Sequence, residues 1–218
     1  MTAGVATFIH RFTPAKTPDG LTLLLLHGTG GDEDDLLELG HVLDEHAALL
    51  SPRGQVSEYG ANRWFRRLAE GVFDTDDLLA RTDQLAAFVT SAVEHYRLTA
   101  SRLVAVGFSN GANIAATMLL RHPRLLRAAV LFAPMVTLDD PPMADLAGVG
   151  VFIGAGMADP ISPSDQAQRL ADQFIARGAA VELHWHPGGH GIDRSVLARA
   201  RTWLRKMDAI STDRLTPG

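Results

Sequence analysis

The sequence contains no cysteine among its 218 residues. This absence excludes disulfides, thiolate catalysis, iron–sulfur clusters and zinc sites with cysteine ligands. Long apolar runs are lacking as well, because the leucine run at residues 23–26 is far shorter than the roughly 20 residues that cross a bilayer. We therefore expect no membrane span. Without disulfides and without a signal-peptide pattern, the sequence favours a cytoplasmic location.

An excess of basic charge is also lacking, since 20 Lys and Arg residues stand against 25 Asp and Glu residues. Nucleic-acid binding requires a clustered positive field, so we expect no nucleic-acid partner. The length suits a core that is stable without a structural metal. Because no repeat, low-complexity tract or linker-like change in composition interrupts the chain, we predict a single domain over residues 1–218.

Apolar runs of strand length alternate with segments of helical period. Runs such as 23–26 and 103–106 are apolar throughout, which is typical of strands covered on both faces. The pattern predicts an α/β fold with a mostly parallel central sheet and helices on both faces. The predicted strands are 7–12, 21–26, 48–51, 102–107, 128–132, 149–154 and 180–186, and the predicted helices are 76–96, 110–121, 164–177 and 193–207.

Residues 107–111 form the most informative motif. They read Gly-Phe-Ser-Asn-Gly, which matches Gly-x-Ser-x-Gly, and they lie between a predicted buried strand and a predicted helix. Such a tight turn strains the serine backbone, and side chains in place of the two glycines clash with the neighbouring strand and helix. The pattern alone also fits a plain glycine-rich turn with a surface serine. In this context it predicts that Ser109 is a nucleophile.

A serine nucleophile needs an acid and a base, and both follow in the chain order Ser, Asp, His. Asp159 comes after the strand predicted at 149–154, and His190 comes after the one at 180–186. Because parallel strands end at the same edge of a sheet, the three side chains can converge there. We expect His190 to accept the serine proton and Asp159 to hold the imidazole. Asp165 and Glu182 are alternative acids that are placed less well.

Residues 27–31, His-Gly-Thr-Gly-Gly, directly follow the strand predicted at 21–26. A glycine-rich turn there lets backbone N–H groups point at a substrate oxygen, and the residue after the nucleophile supplies another donor. We expect Thr29 and Asn110 to form this oxyanion hole, with Gly30 as the next candidate donor. The turn matches neither the dinucleotide fingerprint nor the P-loop, which disfavours a nucleotide.

A metal site is the alternative use of the late histidines. His184 and His186 lie on one face of a predicted strand, and His190 follows four residues later. Imidazole is a common metal ligand, but a strand end with one polar side gives the same spacing. No carboxylate stands at obvious ligand spacing, so we predict no metal.

Two irregular stretches, 53–74 and 135–147, are candidate walls of a ligand pocket, because loops at the carboxyl ends of strands hold ligands in such folds. From the first we predict that Arg63, Trp64 and Phe65 contact substrate, through guanidinium pairing and stacking. From the second we predict the same for Met135. A solvated basic turn anchored by two aromatic residues is the alternative for the first stretch.

Several of these motifs together resemble a known family. The sequence is similar to the carboxylesterase/phospholipase group of the α/β-hydrolase superfamily, especially to small bacterial hydrolases linked to hydroquinone response, and more distantly to acyl-protein thioesterases. The likeness runs from about residue 21 to about residue 203. It is carried by His27-Gly28-Thr29-Gly30-Gly31-Asp32-Glu33, Asn62-Arg63-Trp64-Phe65, Gly107-Phe108-Ser109-Asn110-Gly111-Ala112-Asn113, Asp159-Pro160 and Gly189-His190.

The resemblance implies an α/β-hydrolase fold and hydrolysis of an ester or thioester through an acyl-enzyme, with no cofactor and often as a homodimer. Asn110 stands where the thioesterases usually have glutamine, which disfavours acyl-protein substrates. We therefore expect a serine carboxylesterase for small carboxylic esters. A thioesterase, lysophospholipase or dienelactone-type hydrolase on the same triad is the alternative, as are a non-catalytic ligand-binding protein and a metal-dependent hydrolase.

Overall fold

The computed structural model describes residues 7–69 and 71–213. Within them the chain alternates strands with helices, and a short 3-10 turn precedes β8. In chain order the elements are β1 (His10–Thr13), β2 (Thr22–Leu26), α1 (Leu37–Leu43), β3 (Ala48–Pro52), β4 (Val56–Glu58), β5 (Ala61–Arg63), β6 (Arg67–Ala69), β7 (Val72–Phe73), α2 (Thr75–Tyr96), β8 (Leu103–Phe108), α3 (Asn110–Arg121), β9 (Ala128–Phe132), β10 (Gly150–Gly156), α4 (Ser164–Ile175), β11 (Ala180–His186) and α5 (Arg194–Asp213).

The central sheet of the described residues has seven strands in the order β1-β3-β2-β8-β9-β10-β11. β1 runs antiparallel to β3, and every other neighbouring pair is parallel. The carboxyl ends of β2, β8, β10 and β11 therefore lie along one edge, where the loops after them can meet.

Side chains of β2 alternate between two hydrophobic cores. Leu24 and Leu26 pack in one core with α2, α3 and α4, whereas Leu23 and Leu25 pack in the other with α1 and α5. Successive side chains of a strand point to opposite faces, so a strand covered on both faces is apolar at every position. This confirms the predicted α/β fold, with its mostly parallel sheet and helices on both faces.

Several predicted boundaries shift. The strand expected at 7–12 is β1 at His10–Thr13, and the helix expected at 193–207 continues as α5 to Asp213. The stretch 53–74, expected to be irregular, contains two hairpins, β4–β5 and β6–β7. Their strands are only two or three residues long, too short for a period-two pattern to stand out. No helix in the described part of the chain is long and apolar enough to cross a membrane.

Candidate active site

Ser109 occupies a strained turn between β8 and α3. Its φ of 52° and ψ of −116° are backbone angles that residues other than glycine rarely adopt. The two glycines around it allow a close approach: a Cβ on Gly107 would lie 2.6 Å from the Ala112 nitrogen, and one on Gly111 would lie 1.9 Å from the Leu26 carbonyl oxygen. The turn therefore has the steric requirements of a nucleophile elbow.

The side chains of Ser109, His190 and Asp159 form one chain of hydrogen bonds. The Nε2 of His190 lies 2.9 Å from the Ser109 Oγ, and its Nδ1 lies 2.7 Å from Asp159 Oδ2. The other carboxylate oxygen, Oδ1, accepts the backbone N–H groups of Ile161 at 2.8 Å and Ser162 at 2.9 Å. The Asp159 side chain is fully buried, so both of its oxygens are held in place by these contacts.

The alternative acids lie elsewhere. Asp165 Oδ2 accepts a hydrogen bond from Gln166 on the exposed side of α4. Glu182 is on β11 and contacts His184, with 3.3 Å between Oε2 and Nε2. Of the three candidate acids, the structure brings Asp159 to His190.

The late histidines do not converge. His184 stacks on Phe152 with ring centroids 5.0 Å apart, and His186 is buried and accepts the Gly188 N–H through Nδ1 at 3.2 Å. His190 faces Ser109 instead. Among the described residues no group of three His, Asp or Glu side chains is arranged to hold a metal ion.

The two predicted oxyanion donors, Thr29 and Asn110, both border the cleft that Ser109 lines. Asn110 is the first residue of α3, so its N–H has no acceptor within the helix. Thr29 lies in the turn after β2, and both residues border the cleft in front of Ser109. Contrary to the prediction, Gly30 is not available as a donor, because its N–H donates to the Asn62 carbonyl at 2.9 Å.

His27, for which the sequence predicts no role, fixes the start of this turn. Its Nδ1–H donates to the Gly28 carbonyl at 2.7 Å, and its Nε2 accepts the Gly54 N–H at 2.9 Å. A proton on Nε2 would face that N–H donor, so these two contacts require the neutral ring. Burial also lowers the pKa of His27, which acts in the same direction.

A small cleft opens in front of Ser109. It holds about 50 Å³ of space, far less than the roughly 300–1,000 Å³ of a typical drug-sized pocket. Arg63 and Arg67 border it, and Phe73, Met135 and Ile161 contribute apolar surface.

Of the four side chains predicted to contact substrate, two border the cleft and two are buried in the core. Arg63 and Met135 border the cleft, as expected. Trp64 and Phe65 do not, because their side chains are 2 % and 0 % exposed and pack in the hydrophobic core. Nor is Arg63 a solvated side chain, since it is only 4 % exposed and its Nε lies 3.2 Å from Glu58 Oε2.

Two asparagines in the cleft were not predicted as side-chain contacts. Asn110 Oδ1 accepts the Trp64 backbone N–H, and Asn113 Oδ1 accepts that of Met135, each at 2.8 Å. They tie α3 to the two irregular stretches that form the walls. Each bond joins residues more than twenty positions apart in the sequence, so no local pattern signals it.

The chain is similar in sequence and in structure to known hydrolases. MhqD of Bacillus subtilis, which is named as a hydrolase, is 44% identical over 184 residues, covering 84% of this chain and 92% of that protein. A carboxylesterase of Bacillus cereus has a similar structure, with a TM-score of 0.91, 43% identity, and coverage of 93% of this chain and 95% of that one. A carboxylesterase of Mesorhizobium loti gives a TM-score of 0.86 at 34% identity, covering 91% and 94%.

These relatives confirm the resemblance inferred from the motifs and make the protein a hydrolase of a carboxylesterase-like group. The family model that matches is that of the dienelactone hydrolase family, over residues 63–200. This region contains the turn of Ser109, and it also contains His190 and Asp159. The chain belongs to the dienelactone hydrolase family, within the α/β-hydrolase superfamily.

Proposed function

We propose that this protein is a serine carboxylesterase that cleaves small carboxylic esters through an acyl-enzyme on Ser109. The observation that carries the proposal is the hydrogen-bond chain from Ser109 through His190 to Asp159. A serine hydroxyl is a poor nucleophile by itself, and an imidazole within hydrogen-bond distance can accept its proton during attack.

Each group then has one task. Ser109 Oγ attacks the ester carbonyl carbon while His190 Nε2 takes the hydroxyl proton, and the N–H groups of Thr29 and Asn110 donate to the negative oxygen that develops. His190 passes the proton to the leaving alcohol, and water then hydrolyses the acyl-serine by the same steps. Asp159 stabilises the imidazolium. These steps need no cofactor.

The size of the cleft supports short acyl groups. A space of about 50 Å³ with apolar surface from Met135 and Ile161 suits an acetyl or propionyl group better than a lipid chain. The same triad can cleave a thioester of similar size, so the ester bond is proposed on the strength of the carboxylesterase relatives. The homodimer, the cytoplasmic location and the absence of a nucleic-acid partner stay predictions.

A fluorophosphonate probe tests the nucleophile. We expect one covalent adduct at neutral pH, which peptide mapping places on Ser109, and none on Ser109→Ala. An adduct elsewhere contradicts the proposal. Hydrolysis of p-nitrophenyl acetate that survives Ser109→Ala and disappears with a chelator points instead to a metal-dependent hydrolase.

A series of p-nitrophenyl esters tests the substrate class. We expect kcat/KM to be highest for acetate or propionate and to fall as the acyl chain lengthens beyond the cleft. A thioester of acetate serves as the matched comparison for the bond that is cleaved. A maximum at long chains rules out the small-ester assignment while leaving the triad in place.

A further inference from the structure

The two proposed oxyanion donors belong to distant parts of the chain. Thr29 follows β2, whereas Asn110 begins α3, and 81 positions separate them in the sequence. Oxyanion stabilisation requires donors held at 2.7–3.1 Å from one developing charge. The pairing of β2 with β8 brings the two turns together, but Thr29 and Asn110 each lie three residues beyond the last pair, Leu26 and Gly107. The separation of the two N–H groups therefore also depends on contacts outside the sheet.

Residues 62–64, which we call the brace, contact the turn that carries Thr29. Asn62 makes two hydrogen bonds with it: its carbonyl accepts the Gly30 N–H at 2.9 Å, and its Nδ2 donates to the Gly31 carbonyl at 2.9 Å. Arg63 makes a third, from Nη1 to Thr29 Oγ1 at 2.8 Å.

Trp64 connects the brace to both sides. Its indole Nε1–H donates to the His27 carbonyl at 2.8 Å, and its backbone N–H donates to Asn110 Oδ1 at 2.8 Å. Both bonds are buried, where they are not exchanged for bonds with water. One residue of the brace is therefore bonded to the strand end before Thr29 and to the residue after the nucleophile.

The brace is itself anchored. It lies at the end of the β4–β5 hairpin, in which Arg63 pairs with Val56. The guanidinium of Arg63 contacts Glu58 at 3.2 Å and the Phe65 carbonyl at 3.3 Å. Gly54 packs so closely against the hairpin that an added Cβ would lie 2.4 Å from the Arg63 carbonyl oxygen. The segment is thus a fixed support.

The amide of Asn110 shows an unusual arrangement. Oδ1 is bonded to the brace, but Nδ2 is buried and has no hydrogen-bond partner among the described residues. An unsatisfied buried donor costs folding free energy, which an apolar side chain at this position would avoid. The asparagine therefore lowers stability through Nδ2, and what it contributes is the bond from Oδ1 to the Trp64 N–H.

We propose that residues 62–64 are a positioning element that sets the separation between the N–H groups of Thr29 and Asn110. This inference rests on the proposed function. Asn62 and the Asn110 side chain act through other groups and touch no reacting atom. If the bonds of Asn62 to the Thr29 turn are lost, or the bond of Asn110 Oδ1 to Trp64, one of the two donors moves out of position. This weakens binding of the transition state more than binding of the ester.

The test compares Asn62→Ala and Asn110→Ala with the wild type. We expect each variant to lower kcat by about tenfold or more with little change in KM, because one misplaced donor forfeits part of the 10²–10³ that a donor contributes. The Ki of a trifluoromethyl ketone, which forms an oxyanion adduct on the serine, rises by the same factor. In the double variant the combined loss is smaller than the product of the single losses, since both bonds support one element.

A variant of matched character separates positioning from general destabilisation. Thr82→Ala removes a buried side-chain hydrogen bond, from Oγ1 to the Leu78 carbonyl, inside α2 and outside the cleft. We expect it to lower Tm while leaving kcat and Ki at the wild-type values. If Asn110→Ala does not fold, Asn62→Ala alone carries the test.

Three results overturn the inference: wild-type kcat and Ki in both brace variants, a loss confined to KM, or a loss in Thr82→Ala that tracks Tm in the same way. The labelling of Ser109 by the fluorophosphonate is read in every sample. If the wild type is labelled and hydrolyses esters while the brace variants match it, only the brace is wrong; if the wild type is not labelled, the proposed function is wrong.

Discussion

Substitution of Gly111 by alanine is the sharpest steric test of the elbow. The new Cβ would lie 1.9 Å from the Leu26 carbonyl oxygen, and real Cβ atoms essentially never come within 3.0 Å of another heavy atom. The end of β2 and the start of α3 must therefore separate by about 1.1 Å. That movement pulls the turn of Thr29 away from Asn110, and a misplacement of about 1 Å costs on the order of 10²-fold in rate.

We expect kcat of Gly111→Ala on p-nitrophenyl acetate to fall by about 100-fold or more, together with a lower Tm. Gly191→Ala is the matched control, since a Cβ there meets nothing within 4 Å apart from its two chain neighbours and its φ is not positive. It should retain kcat within about twofold. Wild-type turnover by folded Gly111→Ala refutes the claim that this contact sets the geometry of the elbow.

Three further predictions follow from the described contacts. Asp159→Asn keeps the shape but not the charge that stabilises imidazolium, so kcat falls by about 10⁴-fold while circular dichroism is unchanged; equal turnover contradicts the assigned role. Burial lowers the pKa of His27, so the unfolded chain binds a proton there that the folded chain excludes. The free energy of unfolding therefore falls as pH drops through about 6.5, by at most about 1.4 kcal/mol per pH unit for this group. In urea titrations at several pH values, His27→Gln should lack this part of the pH dependence. Leu24→Ala, fully buried in β2, should cost about 2–5 kcal/mol in the same titration, against less than about 0.5 for Met143→Ala, whose side chain is 86 % exposed.

Much of the fold was predictable because its signals are local. The leucine run of β2 and the apolar run of β8 show strands covered on both faces, and these are the strands at the centre of the sheet. The order of the strands was not predictable, since it depends on which helices cover which face. The hairpins β4–β5 and β6–β7 were missed because their strands are too short to show a period.

The site also contains residues that the sequence predicts and residues that it does not. Ser109, Asp159 and His190 each follow a strand that the sequence marks, so their meeting at one sheet edge follows from parallel topology. Gly30 and Trp64 were misjudged because their partners are far away in the sequence: the Gly30 N–H is taken by Asn62, and Trp64 bonds to Asn110. Residue type and spacing predict which groups can react, but a bond across thirty or more positions leaves no trace in either.

The backbone at Ser109 couples reactivity to thermodynamic cost. A residue with a side chain held at φ 52° and ψ −116° forfeits about 1–3 kcal/mol that the rest of the fold must offset. Glycine at this position carries no such penalty, whereas alanine keeps it. Urea titration should therefore show Ser109→Gly to be more stable than Ser109→Ala, although both are inactive; equal stability means that the turn is relaxed. A chain selected for stability alone would carry glycine at position 109. The serine therefore lowers the stability of the fold while it supplies the proposed nucleophile.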